Sequence, residues 1–140
     1  RDDRGSILPL VAFFGALALV VILLASAASS LYLERKRLFT VADDAALVGA
    51  EAFDVDEVPV VDGHPRPRLR PADVGDAVDG YLAATDTTEF EQLRVERATT
   101  VDGHSATVEL SAFWQPPVVT LFVPRGIRVE VTASARAVFE

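Results

Sequence analysis

At 140 residues and a formal net charge of −8, the chain has room for one small domain beyond any anchoring segment. It contains no cysteine, which excludes a disulfide framework, a thiolate metal site and a cysteine nucleophile. Charge is unevenly spread: five basic and three acidic residues give residues 1–37 a net +2, while eight Arg and eighteen Asp or Glu give residues 38–140 a net −10. That acidic balance argues against nucleic-acid binding and against an electrostatic grip on anionic lipid.

Residues 5–33 carry no charged side chain. Their centre, 7–28, is 22 residues, which as a helix spans roughly 33 Å against a hydrocarbon core of about 30 Å. Thirteen of the 22 are Leu, Ile, Val or Phe, favouring the membrane by roughly 4 to 8 kcal/mol on an insertion scale. A retained transmembrane helix is expected. The rival is a cleaved secretory signal, with Ala25-Ser26-Ala27 as its processing site, but an apolar stretch of this length exceeds an h-region of about 7–15 residues. Pro9 falls in the first turns, where few hydrogen bonds are lost. Gly15, Ala18 and Ala25 are small and would let a neighbouring helix approach closely. The plainer reading is an anchor of ordinary alanine content.

The helix is expected to continue. Residues 31–53 hold no proline and one glycine, Gly49. Leu38, Val41, Ala45, Val48 and Ala52 recur at spacings of three and four and mark an apolar stripe, while Arg37, Asp44 and Glu51 recur every seven on another face. One helix over residues 7–53 would be about 70 Å long. Residues 54–71 read as a connector, with Asp54, Asp56, Glu57 and Pro59 ending the helix and Pro65, Pro67 and Pro71 favouring extended chain. Residues 72–84 read as a short helix with Val74, Val78, Tyr81 and Leu82 on its apolar face and Asp73, Asp76 and Asp79 in water. Residues 85–88 are a loop.

The remainder reads as antiparallel sheet. A strand over 90–99 places Leu93 and Val95 on one face and Arg94 and Glu96 on the other. Val101-Asp102-Gly103-His104 is a hairpin turn, since Asp-Gly readily supplies positive φ. Ala106, Val108, Leu110, Ala112 and Trp114 then alternate with Thr107, Glu109, Ser111 and Phe113. Pro116-Pro117 interrupts the ladder, an apolar run fills 118–123, and Pro124-Arg125-Gly126 turns the chain. In the last strand Ile127, Val129, Val131, Ala133, Ala135, Ala137 and Phe139 point inward, and Arg128, Glu130, Thr132, Ser134 and Arg136 outward. The fold class is α+β: a long N-terminal helix, half membrane and half amphipathic, followed by a small domain of antiparallel strands with one short helix. The expected divisions are 1–53, 54–71 and 72–140. The short helix and the second half of the long one are the available covers for the sheet.

Chemistry is sparse. Val-Asp-Gly-His occurs at 61–64 and again at 101–104, and two Asp/His pairs would supply metal ligands if they converged. Asp-Gly is first a turn-former, and two polar turns are the preferred reading. Asp43 and Asp44, adjacent on a helix, point about 100° apart and do not face one substrate atom. There is no nucleophile elbow, no phosphate loop and no dinucleotide fingerprint. No enzyme, cofactor, metal or small-molecule substrate is expected.

The N-terminal third carries Arg4-Gly5-Ser6, the apolar helix, then Leu31-Tyr32-Leu33-Glu34-Arg35-Lys36-Arg37-Leu38 and Val41-Ala42-Asp43-Asp44-Ala45-Ala46-Leu47-Val48-Gly49-Ala50. In this order the elements resemble the TadE/TadG-like proteins of the tight-adherence (Flp) pilus system, over about residues 4–52. Members cleaved by a prepilin peptidase usually place Glu five residues after the cleavage Gly. Cleavage after Gly5 would put Leu10 there, so the resemblance is to the TadG-like branch.

It implies a non-enzymatic, membrane-anchored component of a Tad/Flp-type pilus assembly or secretion system, a pilin-like, minor-pilin or assembly subunit acting through its N-terminal helix. Implied with it are a single pass through the inner membrane, an extracytoplasmic C-terminal domain and entry into a pilus. The implied partners are membrane lipid, other pilus or pseudopilus subunits and assembly-platform proteins. Two helix-packing surfaces are candidates: Gly15, Ala18 and Ala25, and the block Ala42, Ala45, Ala46, Gly49 and Ala50. The charge rule alone opposes that topology, because Arg35, Lys36 and Arg37 outweigh Arg1 and Arg4 and would draw the C-terminal side inward. The residues by themselves leave open a membrane-tethered extracytoplasmic binding or sensor domain.

Overall fold

With no proline after Pro9 to remove a hydrogen bond, the chain from Ile7 forms one helix, α1, Ile7–Ala50, in the computed structural model, which describes residues 6–138. The helix closes short of the expected residue 53. Glu51 N–H donates to Leu47 O at 3.1 Å and Ala52 N–H to Gly49 O at 3.3 Å, and the Asp54 carboxylate then accepts from Asp56 N–H at 3.0 Å to start a 3₁₀ turn, Val55–Glu57. Two compact units are present, one within residues 1–33 and one within 34–140. The first is the charge-free helical stretch. Arg1, Arg4 and Gly5, read as part of the N-terminal pattern, lie outside the described residues, as does Phe139.

The unit 34–140 is a three-stranded antiparallel sheet with helices on one face. Its strands are β3 (Glu91–Thr100), β4 (Ser105–Trp114) and β5 (Ile127–Arg136), in the order β3-β4-β5. A two-stranded hairpin, β1 (Val60–Val61) and β2 (His64–Pro65), precedes them, and α2, Pro71–Ala84, lies between. Alternation sets the buried face: Ala106, Val108, Leu110, Ala112 and Trp114 of β4 and Val129, Val131, Ala133 and Ala135 of β5 are buried. The apolar sides of α1 and α2 supply the rest of the core through Leu38, Ala42, Ala45, Ala46, Ala50, Val74 and Val78. The sheet's other face is polar. Ser111 Oγ donates to Glu96 Oε1 at 2.6 Å, and Arg128 reaches the same oxygen at 2.9 Å, joining all three strands. These contacts hold the Glu96 carboxyl below its ordinary range, the Ser111 hydrogen bond contributing most.

Four details differ from the sequence reading. The buried stripe of α1 is Leu38, Ala42, Ala45, Ala46, Gly49 and Ala50, rotated from the expected Leu38–Val41–Ala45–Val48–Ala52 stripe. Valine marks hydrophobicity, but the closest approach of helix to sheet needs small side chains, so Val41 and Val48 fall on the flank, half-buried. Strand β3 does not alternate simply. Register shifts between Glu91 and Arg94 and between Val95 and Arg97, with Gln92 at φ 52°, bring Val95 opposite Leu110 and Ala98 opposite Val108. The supposed connector is tied down: Asp62-Gly63, both at positive φ, turn the β1–β2 hairpin, Leu69 N–H donates to Gly103 O at 2.7 Å, and Pro67 and Leu69 are buried. Finally, the region after Trp114 differs at Ile127, the first residue of the last strand. Pro117–Thr120 form one helical turn, α3, and Ile127, expected inward, is exposed.

Candidate functional site

Helix α1 carries both predicted packing surfaces. In residues 7–24 the apolar side chains are exposed, Leu8 at 72% and Leu24 at 65% among them. Gly15, Ala18 and Ala25 share one helical face there, and a Cβ built on Gly15 would meet nothing within 4 Å. All three are exposed. Among the described residues, α1 is the one helix long and apolar enough to cross a membrane.

The second surface has a different fate. Ala42, Ala45, Ala46, Gly49 and Ala50 are all buried within the unit 34–140. A Cβ on Gly49 would lie 3.1 Å from Val74 Cγ1 and 3.2 Å from the Ala106 methyl, so hydrogen is what allows α1 to rest against α2 and β4. The small block is therefore occupied by the protein's own fold. On the wet side of the same stretch, Arg37 pairs with Glu89 at 3.7 Å, and Tyr81 Oη donates to Asp44 Oδ2 at 3.4 Å. Exposed polar contacts of this kind orient more than they stabilise.

The two Val-Asp-Gly-His segments are turns. Asp102 accepts from His104 N–H at 2.8 Å and from Ser105 N–H at 2.7 Å, which lowers its carboxyl to about 2. His104 Nδ1 lies 3.3 Å from Pro67 O, and His64 Nδ1 lies 3.0 Å from Asp62 O, so each ring is engaged with a backbone carbonyl. Among the described residues, no group of three or more His, Asp or Glu is placed to hold a metal ion. Two shallow surface depressions flank the connector. One is lined by Pro65, Arg66, His104 and Arg136, the other by Asp54, Glu57, Arg68 and Arg70, where Arg70 and Glu57 pair.

Sequence reasoning passed over one exposed feature, the loop after Trp114. Leu121 and Phe122 there are 80% and 82% exposed. The signal was a run of apolar residues bracketed by prolines, too short and too interrupted to be a core strand.

A charge-free helix running on into a small α+β domain defines a membrane-anchored class of protein. Residues 5–52 match the Tad family model, that of putative Flp pilus-assembly TadE/G-like proteins. The match ends two residues beyond α1 and does not extend over the sheet. No curated protein and no solved structure matches the chain.

Proposed function

We propose that this protein is a non-enzymatic, single-pass component of a Tad/Flp-type pilus assembly or secretion system, a pilin-like or assembly subunit that engages other pilus subunits or the assembly platform through residues 7–33. The sheet domain lies outside the cytoplasm. One observation carries this reading: the family match and the exposed apolar helix fall on the same residues, and Gly15, Ala18 and Ala25 are exposed within that helix. Lipid tails are as apolar as leucine, so a helix of this kind gains little from burial alone when it moves from lipid to a bundle of like helices. Close packing then decides which it prefers.

The test exchanges residues 7–33 for an unrelated transmembrane helix of the same length in a strain that makes Tad pili. Loss of piliation with normal membrane levels is expected. Normal piliation would instead favour a tethered binding domain. Protease added to intact spheroplasts should remove the sheet domain, and full protection would reverse the topology.

A further inference from the structure

The loop joining β4 to β5 stands out as apolar surface on the folded unit. Residues 116–123 read Pro-Pro-Val-Val-Thr-Leu-Phe-Val, without a charge. Leu121 and Phe122 are almost fully exposed, and Val118 and Val123 are exposed beside them.

Its place in the unit follows from the strand register. The β4–β5 ladder ends at Trp114 opposite Ile127, and Phe113 lies opposite Glu91 at the start of β3. Two residues before Glu91, Glu89 pairs with Arg37 of α1. The Glu34 carboxyl, raised above its ordinary value chiefly by burial, is offset by Arg37 and pushed further by the nearby charge of Glu89. The loop thus leaves the sheet at the end of the unit where Glu34 and Arg37 lie. Gly49 and Ala106 mark the opposite end, with the β3–β4 turn. From Glu34 the sequence leads back directly into the charge-free stretch 5–33.

The loop's backbone suits an apolar surrounding. Pro116, Pro117 and Pro124 have no N–H to satisfy. Val119 and Thr120 donate to Pro116 O at 3.0 and 3.1 Å, Phe122 and Val123 to Val119 O at 3.0 and 2.8 Å, and Gly126 to Val123 O at 2.9 Å. The Thr120 hydroxyl is spent on Pro117 O at 2.9 Å. These N–H groups would therefore stay satisfied if the tip entered the interface, where each unsatisfied one is costly. Arg125 follows the tip, and Arg35-Lys36-Arg37 belongs to the same end of the unit. An apolar tip with cations behind it is the chemistry of an interfacial anchor. Because residues 38–140 are net acidic, such a contact would rest on apolar insertion rather than on charge.

We infer that Val118, Leu121, Phe122 and Val123 dip into the interface of the bilayer that holds the anchor, giving the domain a second, non-covalent attachment to lipid; this rests on the membrane-anchored reading above. The full chain has no cysteine, so single-cysteine variants can carry an environment-sensitive fluorophore in phosphatidylcholine–phosphatidylglycerol vesicles with brominated acyl chains. Labels at Leu19→Cys and Phe122→Cys should both lose emission to the bromines. A label at Val101→Cys, 87% exposed in the turn at the far end, should not. A second label, at Val118→Cys, should be quenched, and should lose that quenching when Leu121→Ser and Phe122→Ser are added while the circular dichroism spectrum and Trp114 emission stay unchanged. Quenching at residue 19 with none at 122 would overturn the loop contact and leave the anchor standing. No quenching at 19 would overturn both. Shielding of the 122 label only at high protein density would assign the loop to a second copy instead of lipid.

Discussion

The two stretches of α1 use the same small residues to opposite ends. Around Gly15, Ala18 and Ala25 the surface is open, and every side of the helix is apolar. Ala42, Ala45, Ala46 and Gly49 are buried, Gly49 against Val74, Val78 and Ala106, while Arg37, Asp44 and Glu51 keep to other sides. Charges make the difference. Where ionised side chains commit part of a helix to water, the remaining side is free for the domain to cover. Where none do, water selects no side, and the small residues stay exposed with the rest of the helix.

Several changes would break or sharpen this contrast. Val41→Pro should have the largest effect, about 3 kcal/mol or more of lost stability in the unit 34–140, because it removes a hydrogen bond in mid-helix; thermal unfolding of the full chain in nanodiscs would read it. If that variant resists protease like the unaltered chain, α1 is not part of the domain core. Gly49→Leu should cost roughly 1–3 kcal/mol by overpacking, whereas Gly15→Leu should stay within about 0.5 kcal/mol in the same measurement. Equal effects at the two glycines would erase the distinction between the stretches. The exposed small residues have their own readout: Gly15→Leu with Ala18→Leu should reach the membrane at normal levels, fail to co-purify with pilus components and give few pili.

A smaller effect is expected from acid. The Asp102 carboxyl sits at about 2, below its ordinary 3.8, so its contribution to the β3–β4 turn is complete above that ordinary value and is lost as the pH falls toward 2. The His104 and Ser105 amides should lose protection from hydrogen exchange over that interval, and Asp102→Asn should flatten the dependence. Smallest of all, His64→Ala with His104→Ala should leave piliation unchanged. Loss of pili there would revive a metal site.

Much of the architecture was legible from periodicity. The charge-free run, the Asp-Gly turn at 102–103, the α2 helix and the alternation of β4 and β5 all follow from hydropathy and turn chemistry. What was misjudged shares a cause. The stripe of α1 was placed by spacings of three and four through Val41 and Val48, yet the close contact selects for alanine and glycine, so Ala42 and Ala46 were left off that stripe. The run 118–123 could be read only as apolar and interrupted by prolines; its single helical turn is set by local hydrogen bonds to Pro116 O and Val119 O. The bulges of β3 leave no mark in composition, since a bulge is set by the neighbouring strand. The small residues Gly15, Ala18 and Ala25 are exposed, as expected of a charge-free anchor. The occupation of the second small block by α2 and β4 was not legible, because it depends on segments far away in sequence.

The core of the sheet domain has a consequence for synthesis. It is assembled from Leu38 near the start of the unit 34–140 and from α2 and β4 much further on, so a nascent chain holds its helical stripe uncovered until Val74, Val78 and Ala106 have emerged. A stripe of leucines would spend that interval as adhesive surface. One built from Ala42, Ala45, Ala46, Gly49 and Ala50 exposes little apolar area while it waits, and so offers chaperones, lipid and neighbouring chains little to seize.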